Sequence, residues 1–230
     1  MDEGIIHEQG LWNIGIYSIV MPDYEVIKDK CVEHIKTVKL DKPHLNKGNE
    51  HYQKIGPMEQ RHKRNLIESW GTLFDNRDSE EFNQVIDFCH SVTLNVAKRV
   101  NEKYVDTSNW LIRMKESWSH ITQNGGYHDY HDHPYCSWCG IFYVDAGETD
   151  SKNKNGNNRF YTPLKTTPEI GLEFLSHTFH DPVAQTGKLI VFPSILPHSA
   201  MPYFGERDRV VVAFNAEIAD ARDVGTNTIS

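Results

Sequence analysis

The spacing of apolar positions changes character once along this chain, near residue 105. Before it, apolar residues recur at helical spacing. A short apolar run, GIYSIVMP, reads as a strand and precedes Asp23, a residue type suited to an N-cap, after which Ile27, Cys31, Ile35 and Val38 fall on one helical face. Residues 39–57, KLDKPHLNKGNEHYQKIGP, are polar and broken by Pro and Gly, so they read as a long loop, with a second helix expected over 59–74. The clearest helix starts at Asp78, where D-x-x-E with Glu81 makes an acidic variant of the capping box. Phe82, Val85, Ile86, Cys89, Val96 and Val100 then line one face down to about Tyr104, a stripe suited to packing on the back of a sheet.

After residue 110 the texture is one of short apolar or alternating runs between polar stretches, the pattern of a sandwich or barrel. Strands are expected over 110–115, 118–122, 138–145, 159–161, 172–176, 188–192 and 209–218. ETDSKNKNGNN between them is a hydrophilic surface loop, and TPLKTTPEIG, with two prolines, cannot be a central strand. The class expected is therefore α+β with a mainly β core, and no internal repeat is present.

Composition narrows the function. The chain has 230 residues, enough for one domain or a tight pair, and its 38% hydrophobic and 11% aromatic content is that of a globular protein. Twenty-four Lys and Arg stand against 32 Asp and Glu, a formal charge of −8, which argues against a general nucleic-acid surface or an anionic-membrane surface. No apolar run approaches the roughly 18 residues of a membrane span, and MDEGIIHEQG has neither a basic nor an apolar leader segment, so a cytoplasmic location is expected. Four cysteines, Cys31, Cys89, Cys136 and Cys139, are too few and too scattered for a disulfide scaffold and are expected as reduced thiols. Cys136 and Cys139 do spell C-x-x-C, but positions i and i+3 of a strand face opposite sides and no second C-x-x-C exists. Both read as small core residues.

Candidate chemistry concentrates in GGYHDYHDHPYCSWCG, residues 125–140. If this stretch is extended up to Pro134, His131 and His133 share a face while Asp132 points away. Two imidazoles on one face are half of a metal site, and a third ligand is then expected from a distant segment. His198 is the best candidate: it follows the buried run of GKLIVFPSILPHSAMP, just after the prolines that end it. Eleven residues later Arg209 opens another β-branched run, RVVVAFN, so a fixed positive charge stands at the mouth of the next strand. His131, His133, His198 and Arg209 make one constellation. Isolated histidines such as His120, His177 and His180 read as surface or satisfied core residues.

From about residue 118 to 215 the order of motifs, G-x-x-x-x-H-x-H-P, then a strand with Gly and Tyr, then G-x-L-I-V-F-P-S-x-L-P-H, then R-V-V-V-A-F-N, resembles the Fe(II)- and 2-oxoglutarate-dependent oxygenases, and among them a branch of uncharacterised proteins of similar length. The resemblance implies a double-stranded β-helix, a cupin-like jelly roll, backed by an N-terminal helical support layer. It implies one domain over 1–230, with support in 1–105 and the β core in 106–220. It also implies iron held by two histidines and a carboxylate. His131 matches the first histidine, His198 the distal one, and Arg209 the arginine for the far carboxylate of 2-oxoglutarate. This chain departs at the second position, where His133 replaces the usual Asp or Glu, and His133, Asp132, His128 and Asp129 all stay open as the residue that completes the shell. Tyr127 and Tyr143 have phenols to offer the cosubstrate, and Trp138 is expected to line the substrate pocket.

The reaction implied is hydroxylation of a small-molecule or peptide substrate coupled to decarboxylation of 2-oxoglutarate to succinate, with a homodimer allowed. The same residues also resemble the cupins. Gly125 precedes His131 by six positions, Gly187 precedes Pro193 by six and His198 follows Pro193 by five, although the cupin glutamate is missing and Ile195 stands where a glycine is usual. That resemblance implies a three-histidine metal dioxygenase or isomerase that ignores 2-oxoglutarate, or a metal-binding module without catalysis. Arg209 favours the oxygenase.

Overall fold

The structure is a computed structural model that describes residues 14–38, 66–69, 71–163 and 178–224. The loop expected over 39–57, the strand over 172–176 and His177 lie outside the described residues. So does most of the connection TPLKTTPEIG.

In the described residues, β1 (Tyr17–Val20), β2 (Leu66–Ser69), β3 (Trp110–Thr122), β5 (Trp138–Asp145), β8 (Lys188–Pro193) and β10 (Arg209–Asp220) form a major antiparallel sheet in the order β1-β8-β5-β10-β3-β2. A minor sheet has the order β4-β9-β6-β7, from β4 (His128–His131), β9 (His198–Ala200), β6 (Asn158–Tyr161) and β7 (Phe179–His180). From β3 onward the chain passes back and forth between the two sheets, with β6 and β7 together in the minor one. This is the double-stranded β-helix, or jelly roll, with a mainly β core.

Two helices cover the outer face of the major sheet. In α1 (Lys28–Thr37) Cys31 and Ile35 are buried, and in α2 (Glu80–Asn101) Phe82, Val85, Ile86 and Cys89 are buried, with Val96 and Val100 packed partly against the same cluster. The expected apolar faces are therefore the packed ones. α2 is capped one residue later than expected: the side chain of Ser79, not Asp78, accepts from the Phe82 N–H at 3.2 Å. Asp23 has left-handed backbone (φ 54°) and makes no side-chain cap; a 3-10 turn, Tyr24–Val26, intervenes before α1.

Of the helix expected over 59–74, residues 59–65 and 70 lie outside the described residues, and the rest is corrected. Leu66–Ser69 is a strand paired with β3, and Leu73–Asp75 is one 3-10 turn. The first 105 residues thus add an edge strand at each side of the major sheet as well as helices, because β1 pairs with β8 and β2 with β3. The two strands expected over 110–115 and 118–122 are one strand, β3. Its register against β10 slips at Asn215/Ala216, leaving Lys115 as the extra residue of a β-bulge.

β5 shows why it reads as an unbroken apolar run. Trp138, Phe142 and Val144 belong to the cluster shared with the helices, while Cys139, Ile141 and Tyr143 belong to the cluster between the sheets. A strand covered on both faces has no polar side to alternate. At Gly140, paired with Phe214 on β10, a Cβ would stand 2.0 Å from the Phe214 ring, so the ring occupies the space a side chain would need. Among the described residues no helix is long and apolar enough to cross a membrane.

Overpacking at this contact predicts that Gly140→Ala lowers the unfolding free energy by about 1–3 kcal/mol, read as a shifted urea midpoint. A midpoint within error of the parent would mean that the Phe214 ring can move aside.

Candidate metal centre

β4 and β9 pair so that His131 and His198 are direct cross-strand partners, and β9 is flanked on its other side by β6, where Phe160 partners His198. The His131 and His198 rings are 4.3 Å apart between centroids. His133 lies beyond the end of β4, where its N–H donates to the Ser194 carbonyl at 3.2 Å, in the turn between β8 and β9. That hydrogen bond turns the His133 ring to 4.9 Å from His131 and 5.1 Å from His198. One ligand atom of each of the three histidines lies within 4.8 Å of the others. Asp132, also beyond the end of β4, is exposed and outside this group.

Nitrogen donors on one face of an octahedral ion stand roughly 3 Å apart for bonds of about 2.1 Å, so small ring rotations would bring this set to bonding distance. The hydrogen bonds prepare it. Nδ1 of His131 is 2.7 Å from the Asp129 carbonyl oxygen and Nδ1 of His198 is 3.1 Å from that of Leu196. A carbonyl can only accept, so each Nδ1 carries a proton, which in the neutral ring leaves Nε2 its lone pair, the arrangement that orients imidazoles for a cation. Burial pushes the pKa of His198 down to about 2 and that of His133 down to about 3, with the neighbouring histidines adding to both shifts. Both are neutral at physiological pH, the state in which they can bind a metal.

Arg209 opens β10 with a fully buried side chain that lines the same cavity as the three histidines. Its Nη2 donates to the Asn158 Oδ1 at 2.8 Å, its guanidinium sits 5.3 Å from the Tyr143 ring centroid, and its Nε has no partner. No carboxylate among the described residues pairs with it. The Tyr143 hydroxyl donates to the same Asn158 Oδ1 at 2.6 Å, so Tyr143 holds the amide that holds the arginine.

Two expected site residues are elsewhere. Trp138 does not line the cavity; it points to the helical side of β5, 6.1 Å from the Tyr17 ring, because alternation puts it on the face opposite Cys139 and Ile141. Tyr127 precedes β4, is 37% exposed and is also absent from the cavity lining. Asn158 was missed. Its signal was present, since Asn158 and Phe160 share one face of a strand and Phe160 faces the core, which leaves an amide on an apolar face. His120, expected as a surface or satisfied core residue, lines the cavity, stacked 5.0 Å from His128, which lines it too. The cysteine pair is a further correction. Cys136 lies before β5, so strand alternation does not apply, and its Sγ is 3.7 Å from that of Cys139.

Three histidines that could hold a metal ion line one cavity of a jelly roll together with a buried guanidinium. Residues 116–215 match the family described as "Putative 2OG-Fe(II) oxygenase". That match covers less than half of the chain. No curated protein sequence matches the chain. Solved structures share its fold. A Pseudomonas putida prolyl-4-hydroxylase is 14% identical over 89% of this chain and 93% of its own, with a TM-score of 0.54. A Trichoplax adhaerens prolyl hydroxylase in complex with a hypoxia-inducible-factor peptide is 11% identical over 94% and 88%, at 0.53. HygX from Streptomyces hygroscopicus, with nickel and 2-oxoglutarate bound, is 11% identical over 89% and 83%, at 0.51.

The depressed histidines fix a pH dependence. Their folded pKa values lie below the unfolded value of about 6.5, so the unfolded chain takes up more protons as pH falls and stability declines with it. The contribution is complete above pH 6.5 and is lost below it. Metal-free protein should lose about 2–3 kcal/mol of unfolding free energy between pH 7 and 5.5 by urea titration, and His198→Gln should lose less over the same interval. Equal slopes for parent and variant would refute this assignment.

Proposed function

We propose that His131, His133 and His198 hold Fe(II) and that Arg209 binds the far carboxylate of 2-oxoglutarate, in an enzyme that hydroxylates a small-molecule or peptide substrate. The observation that carries this reading is Arg209: a fully buried guanidinium with an unpartnered Nε, on the wall of the cavity that the three histidines share. A buried cation without an anion is costly, and the structure offers it none among the described residues. A five-carbon diacid that chelates the metal at one end would present its other carboxylate to that guanidinium.

Fe(II) with 2-oxoglutarate supplies the oxidative chemistry, in which dioxygen is reduced, 2-oxoglutarate becomes succinate and carbon dioxide, and a substrate C–H bond becomes C–OH. The protein's own groups position and shield. The Asp129 and Leu196 carbonyls hold His131 and His198 in the required tautomer. Asn158, itself held by Tyr143, fixes one edge of the guanidinium and leaves Nε for the ligand, in a charge-assisted bond. Phe160 and Phe192 pack on His198 at 5.7 and 4.9 Å between centroids and keep water from that side of the site. With His133 in place of a carboxylate the donor set is neutral and a bound ion keeps its full charge, which favours an anionic cosubstrate. The same all-histidine set also suits a cupin-type metal enzyme that does not use 2-oxoglutarate.

Anaerobic addition of Fe(II) and 2-oxoglutarate should produce the weak visible charge-transfer band of the chelate. His131→Ala and His198→Ala should each lower iron occupancy at least about ten-fold by elemental analysis, with the far-UV spectrum unchanged. Arg209→Met should keep iron yet weaken 2-oxoglutarate binding by about 2–4 kcal/mol. Iron binding without any 2-oxoglutarate band in the parent protein would favour the cupin reading.

A further inference from the structure

We propose that Cys136 and Cys139 form a peroxide-oxidisable dithiol, whose closure to a disulfide locks the turn that carries His133. Their Sγ atoms already face each other at 3.7 Å, so a bond of about 2.0 Å needs only a short approach. The two thiols differ in access. Cys136 is half-buried, whereas Cys139 is 2% exposed and lines the same cavity as the histidines. Among the described residues no third His, Cys, Asp or Glu joins them as a metal-ligating group, which argues against a zinc site. Cys31 and Cys89 are fully buried in the helix-side cluster, each without a thiol neighbour there at bonding range.

Cys139 is fixed within a strand of the major sheet, and Cys136 stands in the turn that precedes it. Cys139 belongs to β5 and its thiol donates to Asn215 Oδ1 at 3.3 Å, an amide held in turn by Glu116. Cys136 sits in the turn before β5, after Tyr135, whose left-handed backbone (φ 65°) is braced by Lys115 Nζ on its carbonyl at 2.6 Å. The Cys136 carbonyl accepts from Ser194 Oγ at 2.6 Å, and its thiol donates to the His133 carbonyl at 3.6 Å. Disulfide formation takes that donor from His133 and draws the turn towards β5.

The oxidant is hydrogen peroxide. One oxygen transfers to the sulfur of Cys136, the less buried residue of the two, giving a sulfenic acid and one water. The Cys139 sulfur then displaces the sulfenic oxygen, which leaves as a second water with the remaining thiol proton, and the S–S bond forms. Two thiols lose two electrons and peroxide gains them.

The thiol chemistry is independent of the oxygenase reading; its effect on metal binding rests on His133 as a ligand. Full-length metal-free protein, kept in EDTA and treated with a few equivalents of hydrogen peroxide, is denatured, alkylated and weighed. Two of the four thiols should be protected, mapped to a Cys136–Cys139 bond and recovered with dithiothreitol, and Cys136→Ser should have all three of its thiols alkylated. Four alkylated thiols after treatment, protection at Cys31 or Cys89, a disulfide between chains, or the same thiol loss in Cys136→Ser would overturn the proposal. In the second arm, with EDTA and peroxide removed, oxidised protein should bind Co(II) at least about three-fold more weakly than reduced protein, by its visible spectrum, with no such change in peroxide-treated Cys136→Ser. Equal affinities would overturn the link to His133, whatever the result with 2-oxoglutarate.

Discussion

The geometry of the whole site depends on the register of β9, a strand of three residues hydrogen-bonded on both sides. Its pairing with β4 sets His198 against His131, and its pairing with β6 sets His198 against Phe160 and Ala200 against Asn158. A slip of one residue would turn the imidazole out of the cavity, because strand side chains alternate. So short a strand makes few ladder bonds of its own. It is held instead by the turn before it, where Ser194 takes the His133 N–H on its carbonyl and donates its hydroxyl to Cys136. The same turn therefore sets the height of His198 and the position of His133.

Arg209 is the opposite kind of constraint, a charge placed where the solvent cannot reach it. It starts the central strand of the major sheet, and its guanidinium reaches Asn158 on the minor sheet, so it ties the two layers at the cavity. Burial works against its charge, pushing its pKa down from the ordinary value, while Tyr143 and Tyr203 oppose that push. Such a residue contributes little to stability for what its desolvation costs. The anionic ligand proposed for the cavity would offset that cost.

The two faces of β5 divide the molecule by task. On one, Phe142 meets Tyr24 edge-on and packs with Phe88 of α2, joining the sheet to its helical cover. On the other, Cys139, Ile141 and Tyr143 face the cavity and the minor sheet. Gly140 lets the Phe214 ring lie against the strand between them. A strand with no exposed face has little freedom to move, which suits it to carry the fixed partner of a thiol pair and the tyrosine that holds Asn158.

Elements whose periodicity comes from one dominant contact were legible in the amino-acid order. The stripe of α2, the apolar runs of β5, β8 and β10, and the segments carrying His131, His133, His198 and Arg209 all follow from local spacing and punctuation. Where two periodicities compete, local pattern failed: 66–74 looks helical, yet the open edge of β3 recruits Leu66–Ser69 as a strand. Side-chain direction at Trp138 needed the knowledge of which face of β5 meets the helices, and the facing of Cys136 and Cys139 needed the path of the turn before that strand. Sequence alone determined which residues could hold a cation and which charge could meet an anion. Only tertiary structure decided that they share one cavity, that Asn158 and Tyr143 brace the arginine, and that the turn before β9 reaches His133, because those relations join strands distant in sequence through hydrogen bonds that no local pattern records.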